Sequence, residues 1–259
     1  MIRAKIYFTV LWLSLHYSAI LNAQPAVESG VFCLEFCDAD SVLFSQKNVR
    51  PESGLGISGI KANIKGSCLD YFPGIKDDLL ASLAYFPELT HIRIKVTYKS
   101  IHQTMNSRPS PWNVFRKKAR RQYSVIINNN EGKHKGLSFG ELSSNIKTGW
   151  FGHELAHICD YEKMNSFETF WFAFRYVFSK KFVRKVERNT DIETVKHGLA
   201  YPLYDGMAYL LNNSETDAGY REYSISNGLS LSEIKCFWCK YRMELERNSD
   251  QSAGRKTHE

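Results

Sequence analysis

With 259 residues and a formal net charge of +7, the chain is long enough for one large domain or two small ones. A mild basic excess of this kind is what solvated lysines and arginines give, and it is weak evidence for an anionic partner. Beyond the first residues no stretch is long and apolar enough to span a bilayer, and no internal repeat points to a solenoid.

Residues 1–23 read as an export signal. Arg3 and Lys5 precede the apolar run Ile6–Leu21, and Ala23 supplies a small residue before Gln24. A retained anchor is the alternative. Removing this segment takes away two basic residues and no acidic one. An exported chain meets an oxidising compartment, where Cys33, Cys37, Cys68, Cys159, Cys236 and Cys239 can form disulfides or stay as buried thiols. Residues 24–246 then form a single domain, and 247–259 a polar, flexible tail.

Along the chain, Asp77–Tyr85 predicts a short helix ended by Phe86-Pro87. His91–Tyr98 alternates Ile92, Ile94 and Val96 with Arg93, Lys95 and Thr97, which predicts a half-buried strand. Ser107–Trp112 holds two prolines and reads as loop, and Tyr123–Asn128 reads as a second strand. From about Ile146 to Asn212 the pattern is helical, with breaks near Met164 and Ser179, and a last helix is expected over Leu231–Leu245. Strands first and helices after predict an α+β fold: a small N-terminal mixed or antiparallel sheet with a helical C-terminal half.

His153-Glu154-Leu155-Ala156-His157 is an HExxH pattern. Histidines at i and i+4 share one helix face and can reach one metal ion. Zn²⁺ favours imidazole nitrogen and, in catalytic sites, keeps one position open for water. Glu154 is then placed to take a proton from that water. Phe151, Leu155 and Ile158 form the core-facing stripe of the same helix, while His153, His157 and Asp160 lie off it. Gly149 and Gly152 suggest close approach by another backbone. The extended pattern HExxHxxGxxH is absent, because Asp160 and Lys163 occupy its last two positions. A third ligand must come from elsewhere. Glu187 and Asp191, one turn apart, are the candidates: Glu187 as ligand and Asp191 as the acceptor that fixes a ligating histidine, or the reverse. Asp160 is a further candidate for such a supporting role. The expectation is one Zn²⁺ per chain.

HELAH followed by ERNTD and Gly198 resembles the gluzincin zinc peptidases, and the ExxxD form is closest to the CAAX-protease-like peptidases and their soluble periplasmic relatives. The resemblance covers about Ile146–Gly198. It departs from that family at Thr190, where alanine is usual, and in the short gap from His157 to Glu187. It implies a zincin-like fold and hydrolysis of a peptide or protein substrate, with Glu154 as general base. It also implies an edge strand above the zinc helix that pairs with extended substrate, and Tyr123, Ser124, Val125, Ile126, Ile127 and Asn128 form the matching strand. A donor to the developing oxyanion is required as well, and His197, Tyr201 and Tyr204 are the candidates.

Two other features bear on partners. Phe167, Phe170, Trp171, Phe174, Val177 and Phe178 form an aromatic stripe followed by Lys180, Lys181, Arg184 and Lys185. It reads either as core packing against the metal helix or as a peripheral membrane contact through 167–185. Arg116-Lys117-Lys118-Ala119-Arg120-Arg121 is a basic run without the aromatic interleaving of a nucleic-acid site and reads as a solvated hairpin tip. No nucleic-acid partner is expected. The alternative to an enzyme is an exported protein without catalysis, in which Asp160, His197 or a cysteine closes a structural zinc site as fourth ligand.

Overall fold

The computed structural model describes residues 60–66, 74–110, 116–129 and 137–255. The expected export signal and Cys33, Cys37 and Cys68 lie outside the described residues. Within them the chain is α+β, a four-stranded mixed sheet leading into a mostly helical C-terminal half.

The strands are β1 (Asn63–Lys65), β2 (Arg93–Lys99), β3 (Met105–Pro109) and β4 (Tyr123–Asn128), in the order β1-β2-β4-β3. β1, β2 and β4 run parallel, and β3 is antiparallel to β4. β2 buries Ile94 and Val96 and exposes Arg93 and Lys95, as its alternation predicts. β4 corrects the sequence expectation of an edge strand, for it pairs with β2 on one side and β3 on the other. Tyr123, Val125, Ile126 and Ile127 are all buried, and a strand covered on both faces belongs at the centre of a sheet. Among the described strands β1 and β3 are the edges, and β3 lies where the prolines suggested loop. Pro109 ends that strand, and edge strands tolerate proline there.

Helix α1 (Ile75–Leu83) precedes β2, and α2 (Ser144–Lys163) crosses beneath the sheet. α2 begins at Ser143, whose Oγ accepts the Ile146 N–H at 3.3 Å. Its stripe of Phe151, Leu155 and Ile158 is fully buried in the main core. α3 (Ser166–Phe178) starts at a capping box formed by Asn165 and Glu168, and α4 (Lys180–Thr194) starts at Ser179. A π turn at Val195–Leu199, with Gly198 at φ 86°, then bends the chain into α5 (Ala200–Asn212). α5 returns along α2 so closely that a Cβ on Gly149 would lie 2.3 Å from the Pro202 carbonyl oxygen.

Helices α6 (Ala218–Asn227) and α7 (Leu231–Arg255) complete the described chain. α7 carries on past the expected end near 245, so residues 247–255 continue the helix instead of forming a tail. An Arg242–Glu246 pair at 3.0 Å supports the turn leading into them. No helix among the described residues is long and apolar enough to cross a membrane.

Two expectations about surfaces change. The basic run before β4 does not end in a solvated tip: Arg121 is buried, and its Nη1 donates to the Tyr161 and Met164 carbonyls at 3.2 and 2.7 Å. A cation there satisfies the free carbonyls at the end of α2 and suits the negative end of its dipole. The aromatic stripe of α3 is not core. Phe167, Phe170, Phe174, Val177 and Phe178 are exposed, Val177 by 73%, while Phe172 on the other face packs edge-on against Tyr161.

Candidate metal centre

α2 and α4 lie side by side, and the two patterns read from sequence meet where they face each other. His153 and His157, one turn apart on α2, hold their rings 4.8 Å apart and nearly perpendicular. Glu187 projects from α4 between them, with Oε2 3.3 Å from His153 Nε2 and 3.7 Å from His157 Nε2. The three donor atoms lie within 4.8 Å of one another. Metal bonds of about 2.1 Å at tetrahedral angles separate ligand atoms by about 3.4 Å, so the observed spacings suit one small dication.

The far nitrogen of each ring is also fixed. His153 Nδ1 donates to Asp191 Oδ1 at 2.8 Å, and the other Asp191 oxygen accepts the Leu229 N–H at 2.8 Å. His157 Nδ1 lies 3.1 Å from Thr190 Oγ1. The Thr190 hydroxyl hydrogen goes to the Val186 carbonyl at 3.0 Å, which leaves its oxygen to accept from the ring. Both Nδ1 atoms therefore act as donors, and both Nε2 atoms face Glu187 Oε2. Ligating histidines are usually held in this way, by an acceptor on the second nitrogen. Thr190, next to Asp191 on the same helix, supplies one of these two acceptors.

The electrostatics agree with a cation at this point. Burial opposes charge on His153, yet its hydrogen bonds to Asp191 and Glu187 outweigh burial and raise its pKa well above the ordinary histidine value. Burial likewise pushes the Glu187 carboxyl up, but the two histidines overcome it and hold the group well below the usual carboxylate range. Carboxylates and rings arranged like this stabilise positive charge between them.

Glu154 sits next to the pair, buried, with Oε2 lacking any hydrogen-bond partner. Burial is the largest influence on its carboxyl and raises its pKa. Glu154 thus places one unpartnered carboxyl oxygen, buried, beside the three convergent ligand-type atoms. The group opens into a cavity of about 400 Å³. Ser107 and Arg108 of β3 form one wall, and Phe172 and Tyr176 of α3 another. Ser107 Oγ donates to the Glu154 carbonyl at 3.0 Å, tying the edge strand to the helix beneath it.

None of the protein families, curated proteins or solved structures compared with the chain matches it.

Other expected participants lie elsewhere. Asp160 pairs with Lys163 at 3.0 Å, one turn along α2 and turned towards solvent. His197 belongs to the π turn, where Nδ1 donates to the Glu193 carbonyl and Nε2 meets Glu88 at 2.8 Å. Tyr201 and Tyr204 pack against a second core cluster around Leu203 and Met207. Downstream position on one continuous helix suggested all three, and the turn at Gly198 rotates them away.

Two tyrosine hydroxyls, those of Tyr176 and Tyr223, do reach Glu187. Tyr176 donates to Glu187 Oε1, and Tyr223 lies 3.5 Å from the same oxygen and 3.4 Å from the Tyr176 hydroxyl. Burial, followed by the Glu187 charge, raises the pKa of both, so each keeps its proton. Tyr176 was visible in sequence only as the polar member of an aromatic run. Tyr223 lies on α6, a helix with too little periodicity to be expected.

Proposed function

We propose that this chain is a zinc-dependent peptidase of zincin-like fold, with Zn²⁺ held by His153, His157 and Glu187 and with Glu154 as general base. The observation that carries the reading is the convergence of two oriented Nε2 atoms and a carboxylate oxygen beside the unpartnered oxygen of Glu154, at the floor of an open cavity. When bound, the ion supplies Lewis acidity to a carbonyl and acidifies water. The side chains do the rest. Asp191 and Thr190 hold the rings in the tautomer that offers Nε2. Glu154 takes a proton from water and passes it to the leaving nitrogen. Tyr176 and Tyr223 line the cavity, and a hydroxyl that turns from Glu187 to the substrate would donate to the developing oxyanion.

β3 suits an extended substrate. It has one unpaired edge among the described strands, and that edge runs along the cavity. Backbone pairing there gives affinity with little demand on sequence. Asn106 Oδ1, buried without a partner, adds an acceptor on the same strand.

The structural-zinc alternative needs a fourth protein ligand. Among the described residues, those suggested for it have other partners: Asp160 pairs with Lys163, His197 with Glu88, and Cys159 with Glu88. Cys236 and Cys239 are disulfide-bonded, an arrangement that the proposed export allows.

Glu154→Gln tests the mechanism. The variant is expected to keep one zinc per chain by elemental analysis and to lose cleavage of a peptide library. A purified protein that takes up no stoichiometric zinc, or a variant as active as the parent, would overturn the reading.

The exposed face of α3 belongs to the same proposal. Its aromatic side chains stand beside Lys180, Lys181 and Arg184, which are exposed at the start of α4. Apolar rings flanked by lysine and arginine complement an anionic bilayer. Phe172, Tyr176 and Val177 of the same helix line the cavity, so such contact would bring the cleft to the membrane surface.

A further inference from the structure

A second cluster of metal-binding side chains lies away from the first, on a different face of α2. Cys159, two residues past His157, is a buried free thiol. Its Sγ lies 3.2 Å from Oε1 of Glu88, a residue of the 3₁₀ turn Pro87–Leu89. His197 Nε2 lies 2.8 Å from that same oxygen. The three donors come from segments far apart in sequence, and all lie within 4.8 Å of one another.

The histidine is held as a ligand would be. Its Nδ1 is 2.7 Å from the Glu193 carbonyl, which can only accept, so Nδ1 carries the hydrogen. The ring is stacked on Phe86 at 4.1 Å between centroids, with 16° between planes. Nε2 then aims at a carboxylate oxygen, and that contact is favourable only with positive charge between the two atoms. A proton can serve, and so can a metal ion. The neighbouring thiol favours the ion, since sulfur, imidazole nitrogen and carboxylate oxygen together form a donor set for zinc. The Glu88 side chain is 45% exposed, which gives an ion a way in from solvent.

We infer that Glu88, Cys159 and His197 form a second divalent-cation site of zinc type, distinct from the His153–His157–Glu187 centre. The ion replaces the thiol proton and the proton between His197 and Glu88, which both leave to solvent. It joins the turn after α1, the metal helix α2 and the π turn that directs α5 back onto α2. Its role is to clamp the frame on which the first centre is built.

The two sites differ in one measurable property, because only the second contains sulfur. Cobalt(II) is titrated into the metal-stripped full chain without added thiols, and the thiolate-to-cobalt charge-transfer band is followed in the near ultraviolet. The band is expected to saturate at one equivalent, to vanish in Cys159→Ser and to need about tenfold more cobalt in His197→Gln. It is expected to persist in His153→Ala/His157→Ala, which removes the first centre. Cobalt uptake without a sulfur band, or a band that survives Cys159→Ser, would overturn the second site. A sulfur band with no further uptake by the parent chain would count against the first centre instead. No cobalt uptake at all would overturn both.

Discussion

Asp191 offers the sharpest test of how the first centre is oriented. Its two oxygens each accept from an N–H, His153 Nδ1 on one side and the Leu229 backbone on the other, both at 2.8 Å. Asparagine has nearly the same shape but only one acceptor. If Asp191→Asn keeps its oxygen on His153, the buried Leu229 N–H is orphaned, at a cost of about 1–3 kcal/mol in stability. If the amide turns the other way, its NH₂ faces Nδ1 and favours the tautomer in which Nε2 carries the hydrogen. His153 then has no lone pair for a metal. Either outcome also removes a negative charge behind the ring. Loss of such an orienting partner weakens metal binding by about 10–100-fold, equivalent to about 1.4–2.8 kcal/mol. The assay is competition for zinc against a chromophoric chelator, with circular dichroism to verify that the variant is folded. A folded Asp191→Asn with the affinity of the parent would refute the claim that this carboxylate sets the tautomer of His153.

Two further outcomes follow from packing and exposure. Gly149→Ala gains about 1 kcal/mol in helix propensity, but its Cβ would fall 2.3 Å from a backbone oxygen of α5. Overpacking of that kind costs about 1–3 kcal/mol, so chemical denaturation should show a net loss, and a more stable variant would mean that α2 and α5 separate freely. Replacing Phe170, Phe174 and Phe178 together by serine should reduce sedimentation with anionic vesicles by more than about tenfold, given about 1.5–3 kcal/mol for each fully buried ring. The thermal midpoint should barely move, because these side chains are exposed. Parent protein that stays in the supernatant at low salt would end the membrane proposal.

What the sequence made legible follows from the range of the forces involved. The i, i+4 spacing of His153 with His157, and of Glu187 with Asp191, is a property of one helix, and the faces it predicts do meet. The position of β4 could not be read that way, since strand order depends on partners far along the chain, and an apolar strand looks the same in sequence at the centre or the edge. β3 was hidden by its own composition, Met-Asn-Ser-Arg-Pro, which an edge strand allows and a central strand does not. The stripe on α3 showed that one face is apolar without showing whether anything covers it. His197, Tyr201 and Tyr204 were placed by assuming unbroken helix through Gly198, and one left-handed residue was enough to turn them away.

Both histidines, Glu187 and the two residues that orient the rings, Thr190 and Asp191, all fall within residues 153–191. The chain between these groups is short, and closing a short loop costs little entropy. An ion arriving early could therefore gather α2 and α4 before the sheet has found its strand order, a slower, non-local step. On the proposed reading the metal would act on the rate of folding as well as on its end point, and refolding followed with and without added zinc would show a slower phase without it.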